Sequence, residues 1–282
     1  MAPLNETAGS NAAQQQAREL ADRVDGLEPD QVRPLVAELL RLTLTWPDSP
    51  EIALALAEGF VKLTCGDVLP EQAQALVDEL HGLAQQWPGE LNIVLAVAKG
   101  LINIAYDLEP DRARPLVGDV RGFVRTWPDS PDAAWELARG LHNLAYDVEP
   151  AQARPLVDEM RSLARAWPDI VDIAVELASA LFNLVRVMNS ESGSAESGSA
   201  KSRPLADELR GLVRTWPDEP RIALMLAQSL GVLALQAKED EAQSLIGEIE
   251  SLQQAWPDDI QILVRKSDPN QGDGSGAVPS PH

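Results

Sequence analysis

Trp127-Pro128-Asp129-Ser130-Pro131 opens the stretch that decides the fold. It runs on through Leu137-Ala138-Arg139-Gly140-Leu141 and Asn143-Leu144-Ala145-Tyr146-Asp147 to the next tryptophan, Trp167. The Trp-Pro pair returns at Trp46, Trp87, Trp127, Trp167, Trp216 and Trp256, at intervals of 41, 40, 40, 49 and 40 residues. Self-similarity at such a period marks an array of stacked units, each too small to bury its apolar face alone. The 282 residues therefore form one elongated body rather than two globular domains.

Each unit holds two helical stretches, A and B. Stretch A starts after Trp-Pro-Asp, where Ser49, Ser130 or Glu219 precedes Pro50, Pro131 or Pro220. Proline suits a first helical position because its missing N–H would have no intrahelical acceptor there. Asp48, Asp129, Asp169, Asp218 and Asp258 are placed as caps or turn formers. Apolar residues follow at helical spacing, as Ile93, Val97, Leu101 and Ile104, and as Ile173, Leu177, Leu181 and Leu184. A small residue recurs beside them, at Gly59, Gly100, Gly140, Ala180 and Ser229. Glycine inside a helix costs about 1 kcal/mol relative to alanine, so its repetition predicts close approach of a neighbouring helix.

Stretch B opens with Glu28-Pro29, Leu69-Pro70, Glu109-Pro110 or Glu149-Pro150 and then carries Arg33-Pro34, Arg114-Pro115, Arg154-Pro155 and Arg203-Pro204. An interior proline costs about 3 kcal/mol. The main B helix is therefore expected to begin at the second proline, or to carry a distorted first turn there. Leu116, Val120, Phe123 and Val124 form its apolar stripe, and Pro128 ends it by pushing Trp127 out of the α region. The periodic tryptophans are expected to plug the junctions between units. Trp135 lies outside that set, where other units have Leu54, Leu95, Val175 and Leu224.

The same alignment sets the boundaries. Residues 1–12 are expected to be disordered, 13–266 to hold about six helix pairs, and 267–282 to be a disordered tail. A first helix is expected near Ala13 to Leu27, and a cap helix at Ile260 to Lys266. The long interval falls on the Ser/Gly/Glu run 189–200, read as a flexible insertion.

The unit resembles a tetratricopeptide repeat (TPR) over residues 13–266. Leu137-Ala138 stands where that family has its Leu-Gly pair, Leu141 where it has a tyrosine, Ala153 where it has an alanine, and Pro168 where it has its closing proline. The period of 40 departs from the family's roughly 34, lies in the range of HEAT and armadillo units, and comes with a Trp-Pro-Asp junction foreign to the TPR signature. The resemblance implies an all-α, right-handed α-solenoid of antiparallel helix pairs, a TPR-like superhelix. It also implies a non-enzymatic scaffold that binds a peptide or protein segment in a concave groove lined by the A helices.

Carried over residue by residue, the groove positions are Asn103, Asn143 and Asn183, then Ile102, His142 and Phe182, then Leu95 and Trp135, and finally Lys99 and Arg139. Three asparagines at one place in successive units form a ladder able to pair with a peptide backbone. The competing reading has each tie its A helix to the following loop of its own unit, or bond across stacked units as a structural ladder. Tyr106-Asp107 and Tyr146-Asp147, close behind two of them, fit that reading.

Charge and composition bound the remaining choices. A net charge of -21 repels phosphate backbones, which argues against nucleic acid as a partner. It reads first as a solvated surface and second as an acidic chaperone or decoy for a basic partner. The single cysteine, Cys65, admits no internal disulfide or cysteine-based metal cluster and reads as a small buried or half-buried residue. With no apolar run of spanning length and no secretory start, the expectation is a cytoplasmic protein that meets no membrane. His81, His142 and His282 sit in unrelated contexts, and there is no phosphate-binding glycine loop. No cofactor or catalytic residue is expected. A regulatory subunit of an enzyme encoded elsewhere is the remaining alternative. The adjacent acids Asp78-Glu79, Asp158-Glu159 and Asp207-Glu208 are expected to face solvent.

Overall fold

A computed structural model describes residues 4–24, 27–65, 70–146, 148–190, 195–257 and 259–260. Among them are twelve α-helices and no strand. They are α1 (Leu4–Val24), α2 (Pro29–Thr45), α3 (Pro50–Leu63), α4 (Pro70–Gln86), α5 (Leu91–Tyr106) and α6 (Pro110–Thr126). The second half holds α7 (Pro131–Tyr146), α8 (Pro150–Ala166), α9 (Val171–Ser190), α10 (Ala195–Thr215), α11 (Pro220–Ala234) and α12 (Glu239–Ala255). Odd numbers are A helices and even numbers are B helices.

The Trp-Pro-Asp junction is a tight turn with one geometry. Trp46, Trp127 and Trp167 cap their B helices at φ near -125° and ψ near 64°, outside the α region as a following proline requires. The N–H three residues on returns to the tryptophan carbonyl, from Ser49 at 3.2 Å, Ser130 at 3.1 Å and Glu219 at 3.2 Å. The next helix starts at once. Ser130 Oγ accepts from the Ala133 N–H at 3.3 Å, and the Glu219 carboxylate accepts from the Arg221 N–H at 3.1 Å. The residue before the proline is thus the cap, one place beyond the aspartate.

All six periodic indoles are half-buried. Trp167 packs with Ile170 against Ala134 and Ala138 of α7 and Ile173 of α9, and so touches its own unit and the next. A Cβ on Gly9 of α1 would lie 3.2 Å from the Trp46 ring. At the end of a helix, one edge of so large a ring stays open to water.

The recurring small residues work as expected. A Cβ on Gly59 would meet Val36 at 2.9 Å, one on Gly100 would meet Leu80 at 2.9 Å, and one on Gly140 would meet Ile102 at 2.4 Å and Val117 at 3.2 Å. In each case the preceding B helix presses an apolar side chain onto the glycine.

B helices do not begin at the second proline, the first of the two outcomes expected. Pro34, Pro115, Pro155 and Pro204 lie inside α2, α6, α8 and α10. All four are exposed, as are Asp30, Asp111 and Ala151, whose carbonyls the first three leave unpaired four residues earlier. The interior proline thus costs a bond on an exposed face of the helix rather than in the core.

Two stretches are helical where the sequence predicts no helix. α1 starts at Leu4, within residues 1–12, and Gln14 reaches across to Ser49 and Glu51 at 3.3 and 3.1 Å. In the run 189–200 the described residues 189–190 and 195–200 are helical, and α9 and α10 hold 20 and 21 residues where α7 and α8 hold 16 and 17. Asn189 anchors the extension. Buried, it donates from Nδ2 to Val185 O at 2.7 Å and Ser202 Oγ at 2.9 Å, and its backbone carbonyl accepts from Gln236 Nε2 at 2.9 Å. Residues 261–282, hence most of the expected cap helix and all of the tail, lie outside the described residues.

Each A helix packs on the next A helix and on the B helices adjacent to it in sequence, whereas described B helices never meet backbone to backbone. Long side chains span the gaps between them. Arg121 grips Glu159, Arg161 grips Glu208 and Arg210 grips Glu248, each through two hydrogen bonds of 2.7–2.8 Å. His81 meets Asp119 at 3.0 Å at the same place one unit earlier. In two of the three pairs expected to face solvent one acid, Glu159 or Glu208, is therefore engaged in a bridge, while Asp78 and Glu79 are both exposed as expected. The neighbour of the bridged acid, Asp158 or Asp207, pairs with the arginine three residues on.

Candidate functional site

Stacking of A on A leaves a trough along α1, α3, α5 and α7, with a cavity of about 770 Å³. Its apolar floor includes Leu54, Leu95 and Trp135, one residue from each of three successive A helices. Four carboxylates, Asp22, Glu58, Asp132 and Glu136, line it against two ammonium groups, Lys62 and Lys99. Cys65 also lines the trough and is exposed, not buried or half-buried as expected.

Of the predicted groove residues, Leu95, Lys99 and Trp135 line this cavity. Arg139 lies beside it, its guanidinium 5.8 Å from the Trp135 ring centroid. Ile102 is fully buried against Gly140 and offers nothing to a ligand. The asparagines part company. Asn103 donates from Nδ2 to Thr64 Oγ1 at 3.2 Å and accepts at Oδ1 from Arg139 Nη2 at 2.7 Å, joining α3, α5 and α7. Asn183 is 4% exposed, with Nδ2 at 3.4 Å from His142 Nε2, while His142 Nδ1 lies 2.7 Å from Glu176 Oε2. A proton on Nδ1 lets the imidazole satisfy both neighbours. Asn143 and Phe182 are half-buried. The ladder read from the sequence is thus not one row of equivalent groups.

Tyr106 is 73% exposed, and Tyr146 carries the Arg186 guanidinium 5.3 Å above its ring.

Glu136, which the sequence reading passed over, is the unusual group of the trough. It is 4% exposed, and its Oε2 is ion-paired with Arg139 Nη2 at 3.2 Å without a hydrogen bond between them. Burial lifts its carboxyl above the ordinary glutamate range; Arg139 and Lys99 draw it back, and Glu176 and Asp132 add to the rise. The repeat explains the missing hydrogen bond. Glu136 and Glu176 hold the same place in successive A helices, and the partner of Glu176 is His142 of the helix before; one unit earlier that histidine's place is taken by Ile102. Aligning this row as Ala55, Ala96, Glu136, Glu176 and Met225 would have exposed two acids in an otherwise apolar register.

Among the described residues, no group of three or more His, Cys, Asp or Glu is arranged to hold a metal ion, and no helix is long and apolar enough to cross a membrane. The architecture defines a class, the helical repeat arrays. Compared with known proteins, no family model matches this chain, and no curated protein matches it.

Proposed function

We propose that the chain is a non-enzymatic binding scaffold that holds a segment of a partner protein along its A helices. A tetratricopeptide-like, right-handed solenoid of antiparallel pairs is the finer architecture that goes with this reading. The observation that carries it is the 770 Å³ trough, built from four A helices in register with an apolar floor and charged walls. Neighbouring A helices pack directly while B helices are held apart by side-chain bridges, and this supports curvature with the A row inside. A concave surface with apolar anchors and a few polar groups suits an extended or helical peptide.

The test is a paired substitution. Leu95→Asp with Trp135→Ala should abolish retention of the partner from native extract while leaving helicity and cooperative melting in place. Undiminished retention would remove the trough from the account. The acidic-decoy reading separates from this one by salt, since purely electrostatic masking weakens steeply as ionic strength rises and apolar anchoring does not.

A further inference from the structure

We propose a second contact surface, apart from the trough, in which the exposed ring of Tyr106 takes an arginine side chain from a basic segment of a partner protein, as the ring of Tyr146 takes Arg186 of this chain.

The stacking of the units brings the surface into being. Cys65, Tyr106, Tyr146 and Leu235 stand at one register, at or just past the C-terminal ends of α3, α5, α7 and α11, and Arg186 holds the matching place in the longer α9. All five are exposed. Leu44 apart, the large apolar side chains most open to solvent among the described residues belong to this row, Tyr106 at 73%, Tyr146 at 46% and Leu235 at 87%. Single apolar side chains scattered over a surface are ordinary, but a row of them at one register marks a contact surface. The row holds no carboxylate, in a chain whose net charge is -21.

The chain supplies its own example of the contact. The Arg186 guanidinium lies 5.3 Å from the centroid of the Tyr146 ring, so members of this row in successive units meet as cation and aromatic face. One unit earlier, the place that Arg186 takes beside Tyr146 falls to Tyr146 itself. Among the described residues no lysine or arginine stands over the Tyr106 ring. Its face is open to solvent and lacks the cation its neighbour has.

Charge selects the occupant. Asp107 and Glu109 follow Tyr106 in its own loop, and Glu149 stands before α8 in the next, all three exposed. The first cations of α6, Arg112 and Arg114, come further along the chain. A planar guanidinium can stack on the ring while its N–H groups point outward to carboxylates at the rim, which an ammonium cannot do as well. The net negative charge of the whole chain draws a basic segment toward this edge.

The experiment uses the full chain labelled with 3-fluorotyrosine. Its two fluorine resonances, one for each tyrosine, are assigned from Tyr106→Phe. The chain is titrated with the acetylated, amidated pentapeptide Gly-Ala-Arg-Ala-Gly and with the same peptide carrying citrulline, which keeps the shape of arginine without its charge. The arginine peptide should move the Tyr106 resonance at concentrations roughly fivefold lower than the citrulline peptide, and should leave Tyr146 in place. In Arg186→Ala, which bares the second ring, both resonances should respond. Equal response of Tyr106 to the two peptides, or none to either, would overturn the assignment. So would a Tyr146 that answers as strongly as Tyr106 in the unaltered chain, since its ring is already covered. A Tyr146 that stays silent in Arg186→Ala while Tyr106 still responds would show that this register does not read a guanidinium, and would sink the proposal as well.

Discussion

Arg161 of α8 donates from Nε and Nη2 to the two carboxylate oxygens of Glu208 on α10, both at 2.7 Å, across a gap where the two helices' backbones do not meet. The same grip joins Arg121 to Glu159 and Arg210 to Glu248, each pair 38 residues apart. The B row is thus held by side chains and the A row by packing. Because the bridged carboxylates are only about a third exposed, they are screened less than free surface pairs. In a double-mutant cycle of Arg161→Ala and Glu208→Ala the coupling should be about 1 kcal/mol, and it should shrink in 1 M salt relative to about 0.1 M. Chemical denaturation at the two salt concentrations reads this out, and a coupling unchanged by salt would show that alkyl packing rather than charge joins the helices.

The asparagines should separate by their partners. Asn103→Ala removes a tie between α3, α5 and α7, and Asn183→Ala leaves the His142 ring short of a neighbour in a buried place. Each should cost about 1–2 kcal/mol. Asn143→Ala should change stability by less than about 0.5 kcal/mol, since the half-buried side chain ties no units together. Urea melts of the three single variants check this. Equal losses at all three would restore a uniform structural ladder.

Glu136 sets a pH dependence of definite sign. Burial raises its carboxyl in the folded state above the ordinary value of about 4.5, so the folded chain holds that proton more tightly than the unfolded chain does. Stability from this group is complete below the unfolded value and declines as pH rises through the folded one. Glu136→Gln should therefore raise the melting temperature at pH 7, with the gain fading toward pH 4. Calorimetry at the two pH values is the measurement. A lower melting temperature at pH 7 would mean that attraction to Arg139 and Lys99 outweighs burial.

One substitution at two glycines should give opposite signs. Gly122→Ala in α6 adds a methyl where nothing stands within 4 Å, and gains helix propensity of up to about 1 kcal/mol. Gly140→Ala places a methyl 2.4 Å from Ile102 and 3.2 Å from Val117, both fully buried, and should destabilise by about 1–3 kcal/mol. Denaturant midpoints of the two variants test the pair. Stabilisation by both would show that the A–B contact at Gly140 yields easily.

How far the primary structure reaches is clear from particular residues. Pro50, Pro131 and Pro220 announce the starts of A helices, because a fixed φ and a missing N–H are local properties. Gly59, Gly100 and Gly140 announce close contact, because no other reason keeps glycine at one helical register. Pro34, Pro115 and Pro155 mislead, since their effect depends on whether the carbonyl one turn back faces water.

What the chain alone determined, then, is the periodic array: two helices per unit, a Trp-Pro-Asp turn between units, and an acidic surface. These follow from propensities and spacings within a single unit. Which side chains meet was decided only by stacking. Ile102 and Phe182 share a register, yet one is fully buried and the other half-buried, and Glu136 and Glu176 share another, yet only Glu176 finds a histidine. The physical reason is that such partners come from the neighbouring unit, 34 to 41 residues away, and depend on how one helix slides against the next. That offset is set by the fit of whole helices, and no run of residues within one of them encodes it.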